Sequence, residues 1–115
     1  MKIKKVIIEV KPLKEALYEF AEVYGKVKNG EYVEPKRGVS FPNIELYRKT
    51  FSNKRMQLLK VIKKNKPGSI YELAKILDRD YKNVFEDVKH FRFLGLISKK
   101  ELKVTFDKLV MEIQV

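Results

Sequence analysis

Val and Ile dominate the stretch from Ile3 to Val10, with Val6, Ile8 and Val10 on one face and Ile7 on the other, which predicts a strand. After Pro12, a residue tolerated in a first helical turn, the period lengthens. Leu13, Ala16, Leu17, Phe20, Ala21 and Tyr24 recur at helical spacing and predict an amphipathic helix from about Leu13 to Lys28. Asn29-Gly30 reads as its stop, and Glu31 to Gly38, interrupted by Pro35, as a loop. Val39 to Phe41 suits a short strand. A short helix carrying Ile44, Leu46 and Tyr47 follows, with Asn43 placed to cap it.

The second half is patterned more sharply. Ser52 can cap a helix to about Asn65 that presents Met56, Leu58, Leu59 and Ile62, and Pro67-Gly68 breaks it. Ser69-Ile-Tyr-Glu72 is a capping box that opens a helix with Ile70, Leu73, Ala74 and Leu77 inward. Asp78-Arg79-Asp80 forms a turn, and Asp80 is placed to cap a third helix that buries Val84, Val88 and Phe91, with Leu94 near its end. Gly95 stops that helix in the left-handed conformation. Leu96 to Lys99 reads as a strand, and Leu102, Val104 and Phe106 alternate with polar residues as its return partner. Leu109, Met111, Ile113 and Val115 resume the alternation in shifted phase, so a bulge or turn belongs at Asp107-Lys108.

Composition removes whole classes of chemistry. The chain has no cysteine, which excludes disulfides, thiolate metal sites and thiol nucleophiles, and His90 is the single histidine. No glycine-rich phosphate loop and no nucleophile-elbow motif is present. The expectation is therefore a protein that is not an enzyme, with no catalytic residues, no metal and no cofactor. No apolar run approaches the roughly 20 residues of a membrane span, and no signal peptide is visible, so a soluble, cytoplasmic protein with no membrane partner is expected.

Charge adds a partner. The 115 residues hold 26 bases and 15 acids, a net charge of +11. Arg48, Lys49, Lys54, Arg55, Lys60, Lys63, Lys64 and Lys66 form a stretch without an acid, which suits a polyanion as well as a solvated surface.

Three helices, a tight turn between the last two and a following hairpin give the order of a winged helix-turn-helix. With Val84 at the core, a step of about 100° per residue puts Lys82, Glu86, Lys89 and Phe93 on the opposite face. Phe85 lies on one flank, and Asn83 and His90 on the other. Lysine donates to guanine, asparagine pairs with adenine and an acid accepts from cytosine. Arg79, Tyr81, Lys82, Asn83, Phe85, Glu86 and Lys89 are thus the expected base-reading set. Lys54, Arg55, Ser69, Lys99, Lys100 and Lys103 are the expected contacts to the DNA backbone. The same lysines also suit an ordinary solvated face, Asn83 a local bond at the helix start, and Phe93 a packing contact with a hairpin or a second subunit.

The stretch Glu72-Leu-Ala-Lys-Ile-Leu-Asp-Arg79-Asp-Tyr-Lys-Asn83-Val-Phe-Glu-Asp87-Val-Lys-His-Phe-Arg-Phe-Leu-Gly95-Leu-Ile97 resembles small MarR-like predicted transcriptional regulators of archaea and bacteria. Their pattern is close to ELAxxLGRxxKNVxxDVxxLxxLGLI. The likeness extends over about residues 40–115, and Glu86 stands where the family commonly carries a base. The resemblance implies DNA-binding regulators that are often dimeric. The expected architecture is α+β and mostly helical: a winged helix-turn-helix over residues 52–115, preceded by a strand–helix extension over 1–51 that helps to build a homodimer. In that picture Ile3–Val10 adds to a sheet edge such as Leu109–Val115. The expected function is sequence-specific occupancy of double-stranded DNA in transcriptional regulation. A winged-helix protein–protein adaptor in a larger complex, or an RNA-binding protein, is the alternative.

Overall fold

The computed structural model of the chain describes residues 4–33 and 38–113. Its elements run β1 (Lys5–Val10), α1 (Leu13–Lys28), β2 (Gly38–Phe41), α2 (Ile44–Thr50), α3 (Asn53–Asn65), α4 (Ile70–Leu77), α5 (Tyr81–Phe93) and β3 (Lys108–Ile113). The class is α+β, and helix predominates among the described residues. Ile3, Glu34 to Arg37 with Pro35, and Val115, which the sequence reading included in elements or a loop, lie outside the described residues.

The chain divides into two compact units, one from residues 5–49 and 108–115, the other from residues 1–4 and 50–107. The sequence reading places the division near residue 51 and leaves the last strand with the helices. The units differ because β3 departs from the helical unit to join a sheet with β1.

In the sheet unit the strand order is β2-β1-β3, with both pairings parallel. Val6 and Ile8 are buried at the centre of this sheet, as the strand alternation requires. The register sets Ile8 beside both Val39 and Met111, and Val10 beside Phe41 and Ile113, so one sheet face is apolar across all three strands. Gly38 is needed where β2 begins, because a Cβ there would lie 2.6 Å from the Ile7 carbonyl oxygen. α1 spans the residues predicted for it and connects β1 to β2. Lys11, at the end of β1, is buried and bonds Glu19 of α1 and Glu9 of β1; those two carboxylates hold its ammonium above the usual lysine range against the opposing effect of burial.

The helical unit is fixed by local signals that were legible in advance. Ser52 Oγ accepts from Arg55 N, and Ser69 Oγ accepts from Glu72 N at 3.1 Å. Glu72 reaches back one residue further than a capping box requires, accepting from Gly68 N at 2.9 Å. Asp80 starts α5 with extended backbone, but its side chain makes no cap bond. At the end of α5, Gly95 has φ +79°, its N–H reaches Arg92 O, and Leu96 N reaches Phe91 O at 2.9 Å, which is the Schellman pairing. The core packs Leu58, Leu59 and Ile62 of α3 with Leu73 of α4, Val84, Val88 and Phe91 of α5, and Leu96 and Ile97 beyond.

The hairpin after α5 is much reduced from the strand pair read in the sequence. A single antiparallel bridge joins Ile97 to Val104, flanked by Ser98 N to Lys103 O and Thr105 N to Leu96 O. Between them the Ser98 hydroxyl accepts from Lys100 and Glu101 amides, so side-chain bonding replaces further ladder. The phase shift at Asp107-Lys108 is the point where the chain enters β3. There Asp107 N donates to Lys4 O, and Lys4 N donates to Asp107 Oδ2, both at 2.8 Å.

Candidate nucleic-acid interface

α5 has two unlike faces. Val84, Asp87, Val88 and Phe91 are buried, whereas Tyr81, Lys82, Asn83, Phe85, Glu86, Lys89, His90 and Phe93 are exposed. The helix therefore turns outward the residues that the angular argument placed opposite Val84. The Tyr81 and Phe85 rings stack at 6.1 Å on this surface. Phe93 is 86% exposed among the described residues.

Asp87 was not among the expected functional residues, and it organises the site. Its side chain is only 10% exposed. Its Oδ1 accepts from Arg55 Nε at 3.0 Å, and its Oδ2 from Arg79 Nη2 at 2.8 Å. Arg55 also donates from Nη1 to Thr50 O at 3.5 Å. One carboxylate thus ties α3 and the α4–α5 turn to the inner face of α5. The signal for it lies in the spacing, since Asp87 falls three residues after Val84 and four before Phe91, on the buried stripe. An acid there needs cationic partners.

This pairing separates the expected site residues into two groups. Arg79 and Arg55 have their guanidinium groups committed to Asp87, and Arg79 Nη1 is buried without a hydrogen-bond partner. Ser69 Oγ caps α4 by accepting from Glu72 N. Tyr81, Lys82, Asn83, Phe85, Glu86 and Lys89 form the exposed face of α5, and Lys54, Lys99, Lys100 and Lys103 are exposed on α3 and the reduced hairpin. Arg92 fixes that hairpin by donating from Nε to Ser98 O at 2.9 Å and from Nη2 to Glu101 O at 3.5 Å.

The basic stretch before α4 is likewise divided. Lys63 Nζ donates to Phe106 O at 2.9 Å and pairs with Asp107, while Lys60, Lys64 and Lys66 are exposed. Lys63, followed by the Lys4 amide, holds the Asp107 carboxyl below the usual carboxylate range. Among the described residues, no group of three or more His, Cys, Asp or Glu side chains is placed to hold a metal ion, and no helix is long and apolar enough to cross a membrane.

A family model described as HVO_A0114 matches residues 50–111, more than half of the chain. The chain belongs to the HVO_A0114 family. The HVO_A0114 match takes in α3, α4, α5, the Asp87 ion pairs and the reduced hairpin, and it ends within β3. No curated protein and no solved structure matches the chain.

Proposed function

We propose that this protein binds double-stranded DNA and regulates transcription by occupying an operator, using α3, α4 and α5 as a winged helix-turn-helix of the MarR-like kind. The observation that carries the reading is the outward face of α5. Lys82, Asn83, Glu86 and Lys89 project from a helix whose other side is locked down by Val84, Val88, Phe91 and Asp87. A rigid helix with such a face can present donors and an acceptor to base edges in a major groove.

The exposed part of α5 is nearly balanced, because Asp87 and Arg92 are engaged internally and leave Lys82 and Lys89 against Glu86. Grip then falls to Lys54, Lys60 and Lys64 on α3 and to Lys99, Lys100 and Lys103 on the hairpin. Arg79 and Arg55 act through Asp87 by holding α5 in place. A homodimer on two half-sites is the assembly expected of this mode of binding.

The test is a fluorescence-anisotropy titration of random duplex DNA, single-stranded RNA and a genomic upstream fragment across a salt series. Duplex binding should weaken with salt by about −0.9 in log–log slope per phosphate contacted. Lys100→Ala should reduce that slope by about 1 and weaken all duplexes alike, whereas Asn83→Ala should narrow the gap between upstream and random DNA. No duplex binding at about 50 mM salt, where non-specific association is strong, would defeat the proposal.

A further inference from the structure

The outward face of α5 is not chemically uniform. Measured from Val84 at a step of about 100° per residue, Tyr81 and Phe85 lie at about 60° and 100°, and Lys89 and Lys82 at about 140° and 160°. Glu86 follows at about 200° and Asn83 at about 260°. The face thus runs from an apolar flank, through a column of donors, to an acceptor and then an amide. On the apolar flank Tyr81 is 48% and Phe85 39% exposed, and their rings stack on each other one turn apart. Phe85 is three residues from Lys82 and four from Lys89, so both lysines neighbour the ring pair on the helix surface. Contact with phosphate makes no use of apolar rings. Base edges do, at one group: in the major groove only thymine presents a methyl, at C5, and its O4 acceptor lies beside that methyl.

We infer that the Tyr81–Phe85 pair reads thymine, the 5-methyl group packing on the two rings while Lys82 donates to O4 of the same base. The inference rests on the duplex-DNA reading of α5 and adds a base identity to it. An apolar flank beside a donor is the complement of a methyl beside an acceptor, and the other bases meet only part of it. Cytosine and adenine turn an amino donor toward the lysine and offer no methyl. Guanine satisfies the lysine through O6 or N7 but leaves the rings without a partner. Position along the helix agrees with this assignment. Both rings lie in the first two turns of α5, the part of a recognition helix whose side chains meet base edges, whereas Phe93 lies in the last turn. The rings are also ordered in advance. Their mutual stacking leaves little side-chain freedom to lose on binding. It also covers one face of each ring, so a base enters between them only by parting them, whereas a methyl packs on what is already exposed.

The experiment uses the full chain to select duplexes from a random-sequence pool. Each thymine of the preferred duplex is then replaced singly by uracil, which removes the methyl group and keeps every hydrogen-bonding atom. At the thymine that faces the ring pair, uracil should weaken wild-type binding about fourfold, the burial of one methyl group expressed as a ratio of dissociation constants. Phe85→Gln should bind the thymine and uracil duplexes alike, and Phe85→Leu, which keeps an apolar surface, should retain the preference. Lys82→Met should leave the thymine-to-uracil ratio unchanged while lowering the preference for thymine over cytosine by about threefold or more. The uracil comparison on the wild type needs no variant to fold. Binding that is indifferent to uracil at every thymine, or a pool that yields no sequence preference, overturns the thymine assignment and leaves duplex binding standing. So does a thymine-to-uracil ratio that survives in folded Phe85→Gln. No duplex binding at about 50 mM salt, or tighter binding of single strands than of duplexes, overturns the duplex reading and the assignment together.

Discussion

Replacing Asp87 by alanine tests whether the carboxylate under α5 is the joint that holds the candidate reading helix. The change leaves two guanidinium groups, of Arg55 and Arg79, beside a small apolar gap. Removing one partner of a fully buried ion pair costs about 3–5 kcal/mol, because the remaining charge stays desolvated and unpaired. Here the arginine side chains are 24% and 20% exposed, so water recovers part of that loss and about 2 kcal/mol is the expected cost. A unit of about 60 residues has a stability of roughly 3–9 kcal/mol, so the loss is a large fraction of the whole. In thermal unfolding followed by circular dichroism, Tm should fall by about 8–16 °C. In urea the midpoint should drop by about 1 M or more with little change in slope. Glu86→Ala, one residue away on the exposed face, is the control and should stay within about 0.5 kcal/mol of the wild type. Adding Arg55→Met and Arg79→Met to Asp87→Leu should recover stability, since no buried charge is then left alone. If Asp87→Ala is as stable as Glu86→Ala, the ion pairs do not anchor α5 and the reasoning fails.

Two further outcomes follow from the geometry. The Asp107 carboxyl is held below its ordinary range by Lys63 and the Lys4 amide, so its contribution is complete above the unfolded pKa and disappears as pH falls through the folded value; Asp107→Asn should therefore lower stability at pH 7 and lose less than the wild type between about pH 5 and pH 2, measured by urea midpoints at each pH. Gly38→Ala drives a methyl group to 2.6 Å from the Ile7 carbonyl oxygen, and the β1–β2 pairing must open or shift at a cost of about 1–3 kcal/mol, which amide hydrogen exchange at Ile8 and Val39 would register as lost protection.

The helices were legible in the sequence because their boundaries are set by neighbours. Ser52, Ser69, Asn43 and Gly95 each act within a few residues, through a side-chain bond to an amide or a left-handed turn, and all four do so in the structure. The exposed face of α5 was legible for the same reason, since a period of 3.6 residues fixes which side chains turn away from Val84. What the sequence did not disclose depends on which side chain meets which backbone or charged group once the chain has folded. The Leu102, Val104 and Phe106 alternation predicts a strand, but Ser98 and Arg92 take up the backbone groups of that turn and leave one bridge. Arg79 and Arg55 have the composition of DNA contacts, and only the fold brings them to Asp87. The pairing of β1 with the strand after Leu109 was foreseen as an edge addition in a dimer, and it occurs within one chain, parallel and in register from Lys5 with Lys108.

That last pairing sets an order on assembly. The three helices of the helical unit occupy an unbroken stretch of chain, so they can close while the rest is still unstructured. The sheet cannot, because β1 and β3 must meet across about 100 residues, a closure that costs roughly 4 kcal/mol in an open coil. Folding the helices first removes most of that slack and presents Asp107 to Lys4. During synthesis β1 leaves the ribosome long before β3 exists, carrying Val6, Ile7 and Ile8 with one edge unsatisfied. Of the three strands β1 is thus the sticky edge that stays open longest in the nascent chain, and β3 is what closes it.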